Sequence, residues 1–261
     1  MNSAITVLPG AAAPSARATL AAYALEAKFE FLRVLRTPAF AGPTLLFPPM
    51  FYLLFGLILN RGNAGAAHYL FATYSVFGVM APGLFGFGVG VAIERERGWL
   101  ALKRVAPAPP GAYLLSKMIM AMLFALIIFC TLAAMAATLG GLRFAAGQWL
   151  LLGVVTLFGV LPFCALGLVI GSRVSASAAP ALVNFIYLPM AFLSGLWIPL
   201  KMLPATLGQL APLWPSYHLA QLALATVGAG DGGSVIVHFA ALAGFTALCF
   251  AIALRAMARK S

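Results

Sequence analysis

Six charged residues, Glu94, Arg95, Glu96, Arg97, Lys103 and Arg104, fall within eleven positions of the stretch ERERGWLALKRVAPAPPGAYLLSK (94–117). Nowhere else do charges cluster between long apolar runs. What such a group offers chemically is charge contact at a surface. If Glu costs about what Asp does, burying all six at mid-bilayer costs roughly 15–21 kcal/mol by simple addition. The stretch therefore lies outside the hydrocarbon and sets where the neighbouring spans end. Trp99, Leu102 and Ala106 are spaced three and four apart, one face of a helix over 94–106. Trp99 suits a headgroup-level anchor, and Pro107, Pro109, Pro110 and Gly111 stop the helix before the next span. Two readings fit: a short amphipathic helix lying along the membrane surface, or an ordinary charged loop that follows the positive-inside bias.

Other chemistry-bearing residues are scattered. His68, His218 and His238 stand alone, and none pairs at the i,i+4 spacing of a zinc site. Cys130, Cys164 and Cys249 sit inside apolar runs without metal-ligand spacing, as packing residues do. No Gly-Lys-Ser or Gly-Lys-Thr triplet occurs, so the chain has no phosphate-cradling loop of the Walker type. The glycines of GFGVG (86–90) lack the full spacing of a nucleotide loop and have no flanking strand. All five acids, Glu26, Glu30, Glu94, Glu96 and Asp231, fall in interface or loop segments. That weighs against an ion-coupled carrier, whose pathway is usually marked by ionisable groups within the spans. Asn184 is the most conspicuous amide at depth; it either lines a path or bonds a neighbouring helix, the second being favoured.

The elements that must position these residues follow from composition. The 261 residues are 63% hydrophobic and only 8% charged, with mean hydropathy +1.03. Ordinary globular chains carry about 25% charged residues, so this is an integral membrane protein. Its net charge of +11 is carried by residues that punctuate apolar runs and form no stripe, which suits topology and anionic headgroups and excludes nucleic acid as a partner.

Residues 1–16 read as a disordered lead-in with no resemblance to a cleavable signal peptide. An amphipathic interface helix is expected over 17–37, with Leu20, Ala24, Ala27, Phe31 and Leu35 on one face. Glu26, Glu30 and Arg33 lie on the other, with Glu30 and Arg33 placed to pair. One six-span domain then covers 38–261, with spans near 41–60, 69–93, 113–139, 149–171, 178–197 and 235–254. With both termini inside, thirteen Lys and Arg lie on the inner side and three outside, which places 94–111 in the cytoplasm. The run 198–229 is apolar but broken by Pro199, Pro204, Pro212 and Pro215, so two short helices dipping into the outer leaflet are expected. Gly86 with Gly90, and Gly167 with Gly171, allow close helix contact.

Two motifs make the chain resemble the type-2 ATP-binding-cassette exporter permeases, the transmembrane subunits of bacterial transporters. Glu94–Trp99, followed by Leu102, Lys103, Arg104 and Pro107, resembles their cytoplasmic coupling segment, with Trp99 where Thr is usual. Phe192, Ser194, Gly195, Pro199, Leu203, Pro204, Leu207, Pro212, Pro215, Tyr217 and His218 resemble the signature around the fifth span and outer re-entrant helices. The resemblance implies an all-α fold of six spans in the bacterial cytoplasmic (inner) membrane. It implies two permease copies, a homodimer or a heterodimer, joined to separate ATPase subunits that bind ATP and Mg. It further implies ATPase docking by Glu94, Arg95, Glu96, Arg97, Gly98, Trp99, Leu102, Lys103 and Arg104. A path between two copies is expected to be lined by Phe51, Tyr52, Phe55, Phe85, Asn184, Phe185, Tyr187, Leu188 and Phe192. Such a lining suits a hydrophobic or amphipathic, drug-like or lipid-like cargo. Polysaccharide or lipo-oligosaccharide export, or a non-transporting assembly or regulatory subunit, are the alternatives. An intramembrane enzyme has the least support, since no His, Asp, Glu or Cys constellation gathers at one depth.

Overall fold

The computed structural model describes residues 16–100, 102 and 111–258, and every regular element among them is helical. The chain is organised around α3 (Ala64–Glu96), a helix of 33 residues and roughly 50 Å at 1.5 Å per residue. Its residues from Leu70 to Leu84 are buried on every side, as expected of a helix apolar all round. Asn63 caps its start by accepting from the Ala66 amide at 3.0 Å.

Around α3 pack α2 (Pro38–Phe51), α4 (Ala112–Thr138), α6 (Leu161–Gly171) and α7 (Ala179–Leu193). Apolar burial gives little drive between helices in lipid, so close backbone contact matters more. It is provided where α6 crosses α3. A Cβ on Gly167 would lie 2.8 Å from the Gly83 carbonyl oxygen, and one on Gly171 would lie 2.5 Å from that of Phe87. The expected close contact at Gly167 and Gly171 is therefore present, against Gly83 and Gly88. Gly86 instead faces Met120 of α4.

Among the described residues, five helical stretches are long and apolar enough to cross a membrane: Pro38–Ile58, Ala64–Glu96, Ala112–Thr138, Ala146–Gly171 and Val235–Ala256. The expected fifth span differs. α7 has 15 residues, ending before Gly195, whose φ of +77° turns the chain, and is shorter than the roughly twenty residues a crossing needs. The expected fourth span is two helices, α5 (Ala146–Gly159) and α6, because Pro162 cannot donate the hydrogen bond that would continue the ladder. Pro48 and Pro49 have a related effect on α2. Past them the helix widens to a π-helical segment, Tyr52–Ile58, closed by the Leu59 amide donating to the Leu54 carbonyl at 2.9 Å. Gly56 is obligatory there, since its Cβ would sit 2.6 Å from the Tyr52 ring.

The proline-broken run after α7 forms two helices, α8 (Ala205–Leu210) and α9 (Pro215–Thr226), each followed or preceded by a 3₁₀ turn. α9 lies against α3, α5 and α10 (Val235–Ala258). Its start is tied to the end of α7 by the Ser194 and Ser216 hydroxyls, and Tyr69 donates to the Gly195 carbonyl at 2.6 Å.

α1 (Ala16–Leu35) packs on α4 with only part of the face its periodicity suggests. Ala27 is buried and Phe31 packs edge-on against Phe124, with Glu30 buried beside them, whereas Leu20, Ala24 and Leu35 are exposed. Glu30 points inward because its partner cation is inside.

Candidate functional site: a buried ionic cluster beneath the elbow

The charged stretch after α3 divides into an inward and an outward part. Glu94 occupies the last turn of α3 and is 3% exposed. Its carboxylate accepts from three donors: Lys117 at 3.0 Å, Tyr113 at 2.6 Å and Arg33. Lys117, in the second turn of α4, is 1% exposed and also donates to Glu30 at 2.7 Å. Arg33 completes the ring by donating to Glu30 at 2.7 Å, so the expected Glu30–Arg33 pair is present. Two carboxylates thus face two cations, with a phenol as an extra donor. Burial pulls the Glu30 carboxyl upward, but Lys117 and then Arg33 outweigh it and hold it below its ordinary value of 4.5. For Arg33, desolvation is likewise outweighed by Glu30 and Glu94, and its guanidinium is held more firmly charged.

Glu94, one of the residues expected to dock an ATPase, has its carboxylate committed inside, where it joins α1, α3 and α4. Arg95 and Glu96 grip the connection between α6 and α7. Arg95 Nη2 donates to the Val174 carbonyl at 2.7 Å, and Glu96 accepts from the Ala176 amide at 2.9 Å. Arg95 Nη1 is buried without a hydrogen-bond partner among the described residues.

The chain then breaks at Gly98, whose φ of +73° is reached freely only without a Cβ. Beyond it Trp99 and Leu102 are exposed, Leu102 by 65%. The Trp99 ring lies 5.5 Å from the Arg97 guanidinium and 5.9 Å from that of Arg33, so the same arginine touches both the buried cluster and the elbow. The expectations for Lys103, Arg104, Ala106 and the helix end at Pro107 lie outside the described residues.

The expected path residues separate into three groups. Phe51, Phe85, Tyr187 and Phe192 belong to an aromatic cluster with Phe77 and Trp197, in which Phe77 stacks on Tyr187 at 5.2 Å between centroids. Tyr52 is fully buried between Phe71 and Tyr74. Phe55, Asn184, Phe185 and Leu188 are exposed. Among the described residues Asn184 bonds no neighbouring helix; its amide donates to the Pro180 carbonyl of its own helix at 3.1 Å.

The re-entrant motif builds corners. Pro199 and Pro204 precede helical turns, Pro215 starts α9, and the Pro212 carbonyl is 2.9 Å from His218 Nε2. His218 and His238 do not stand alone as expected, since their Nδ1 atoms are 2.9 Å apart. Tyr217 packs edge-on against both rings. Among the described residues, no three His, Cys, Asp or Glu side chains converge on a metal-sized site.

An all-helical domain with several helical stretches of membrane-crossing length, a charged elbow after its central helix and a proline-cornered segment before α10 fits a multi-pass membrane protein. The family model for the ABC-2 family transporter protein matches residues 44–255, and the chain belongs to that family. It is also 31% identical over 206 residues to the "Putative transport permease YvfS" of Bacillus subtilis (strain 168), an alignment that covers 77% of this chain and 84% of that protein. Membership of an ABC-2 permease family implies an ATPase subunit as partner.

Proposed function

We propose that this chain is the membrane subunit of an ATP-driven exporter in the bacterial cytoplasmic membrane, with both termini in the cytoplasm. ATP and Mg are bound by a separate ATPase, and two permease copies enclose the path. The observation that carries the reading is the junction of the elbow to the Glu30–Arg33–Glu94–Lys117 cluster. Arg97, Trp99 and Leu102 offer an exposed cationic and apolar edge that fits a groove on a partner. Lys103 and Arg104 extend that edge in the sequence. Behind it, the ionic cluster ties the elbow to α1, α3 and α4 together, so a push on the elbow moves three helices as one body.

The cargo we propose is hydrophobic or amphipathic. The exposed faces of the π-helical segment and of α7 carry Phe55, Phe185 and Leu188, with Asn184 as their one amide, a surface suited to an uncharged, drug-like or lipid-like molecule. In reconstituted complexes with the ATPase that co-purifies with this chain, Leu102→Asp should leave membrane insertion intact and uncouple ATP hydrolysis from transport. Coupled transport at the unaltered rate would refute the proposal.

A further inference from the structure

Three contacts of α1 show how the helix is turned about its own axis. Arg33 reaches the elbow, its guanidinium 5.9 Å from the Trp99 ring. Glu30 meets Lys117, in the second turn of α4, at 2.7 Å. Phe31 meets Phe124, seven residues and about 10 Å further along α4, with ring centroids 5.6 Å apart. α4 is one of the stretches of membrane-crossing length. Turning about the α1 axis from Arg33 through Glu30 to Phe31 therefore leads from the charged elbow toward the bilayer.

Successive residues of an α-helix are about 100° apart around the axis. Ala24, nine positions before Arg33, therefore points directly away from the elbow, on the Phe31 side. Arg17, Leu20, Lys28 and Leu35 fall within about 40° of Ala24. All five side chains are exposed, Leu20 by 69%. The two acids of the helix, Glu26 and Glu30, lie elsewhere. Glu30 is buried, and Glu26, partly buried, points about 160° from Ala24. Only Arg36 and Thr37 separate α1 from α2, which opens the membrane-crossing stretch Pro38–Ile58, so the end of α1 stands at the edge of the hydrocarbon.

A flank that is turned toward the bilayer, carries cations between apolar side chains and holds no acid is complementary to a negatively charged membrane surface. We propose that this flank of α1 binds anionic phospholipid, with Leu20 and Leu35 at the acyl boundary and Arg17 and Lys28 on headgroup phosphates. The two cations are eleven residues apart, about 16 Å along the axis, so each meets its own headgroup. Their aliphatic stems lie along the apolar boundary while the charged ends stay at headgroup level. Arg33 is no part of this surface, because Glu30 and Glu94 engage it. Lipid thus holds the outer side of the helix whose inner side brings Glu30 to the ionic cluster. The inference stands whether or not the elbow docks an ATPase.

The test uses the full chain with Cys130, Cys164 and Cys249 replaced by Ala and a single thiol introduced by Ala24→Cys. The thiol carries a nitrobenzoxadiazole fluorophore, and the chain is reconstituted into phosphatidylcholine nanodiscs with a rising share of phosphatidylglycerol. The label should brighten and shift to the blue as phosphatidylglycerol rises. A label at Phe29→Cys, exposed about 140° round the helix, should shift less. Salt at about 1 M, where the screening length falls to about 3 Å, should cancel the phosphatidylglycerol effect. The phosphatidylglycerol share that gives half the shift should rise about fivefold with Lys28→Gln, the effect of one surface cation. Arg17→Gln/Lys28→Gln should abolish the shift, and Lys28→Arg should preserve it. Equal emission in the two lipids overturns the proposal, as does a phosphatidylglycerol response that persists in the double variant or is equal at Phe29→Cys. A response that ignores lipid and needs the co-purifying ATPase also overturns it, and gives the flank to a protein partner. A monodisperse elution profile for each variant separates loss of lipid binding from loss of the fold.

Discussion

Replacing Lys117 with Met should destabilise the protein by about 3–5 kcal/mol, the usual cost of removing one partner from a buried ion pair. Lys117 is the most enclosed charge of the cluster, 2.7 Å from Glu30 and 3.0 Å from Glu94. At an effective dielectric constant near 20, each contact at these distances is worth about 6 kcal/mol gross. Desolvating the ammonium offsets part of the sum. The variant keeps the packing of the aliphatic stem but leaves two carboxylates facing Arg33 alone, and Arg33 is itself partly exposed. Stability can be read from the midpoint of SDS-driven unfolding in mixed micelles, with the exposed Lys201→Met as control. The double variant Glu94→Gln/Lys117→Met should recover part of the loss, because the uncompensated charge is gone. Trypsin should also cut faster within α1, at Lys28, since Lys117 is one of the tethers that hold that helix against α4. A Lys117→Met midpoint within about 0.5 kcal/mol of wild type, the range typical of surface substitutions, would refute the view that this cluster holds the three helices together.

Further expectations follow from the same geometry. Glu30 has a folded pKa depressed below 4.5, so its contribution to stability is complete above that value and is lost as pH falls through the lower folded value. The unfolding midpoint of wild type should therefore drop on acidification below pH 4.5, and that of Glu30→Gln should change less. Trp99→Ala, which removes the ring between Arg33 and Arg97, should weaken ATPase association by about 2 kcal/mol, or some 30-fold, measured by pull-down titration. Gly171→Val forces a side chain into the Phe87 carbonyl and should cost about 1–3 kcal/mol in the SDS assay, with exposed Gly147→Val as comparison.

The apolar runs, the proline-broken segment before α10 and the elbow were legible because hydropathy and backbone chemistry act locally. The shortness of α7 was not, since the apolar sequence continues through Ser194–Trp197 after the helix has turned away at Gly195. Pro162 did signal the break between α5 and α6, but its apolar surroundings masked it. The burial of Glu94 was hidden by its neighbours: the five charges that follow it argue for water, whereas the partners that reverse the argument, Lys117 and Arg33, stand 23 and 61 positions away in sequence. The available signal was Lys117, a cation inside an apolar run whose only means of staying there is a buried counter-charge. Glu30 was misplaced for the same reason, because amphipathic periodicity assigns a carboxylate to solvent unless its partner is known. The histidine pair comes together only through the α9–α10 hairpin, which nothing at either histidine announces.

The central claim is that the elbow after α3 faces the cytoplasm, where an ATPase can reach it. It is tested most directly in a chain whose Cys130, Cys164 and Cys249 are replaced by Ala, with a single thiol introduced by Leu102→Cys or, in a second variant, by Lys201→Cys. In intact cells a membrane-impermeant maleimide should label the Lys201→Cys variant, and should reach the Leu102→Cys thiol only after the membrane is opened. Labelling of Leu102→Cys in sealed cells would contradict the account.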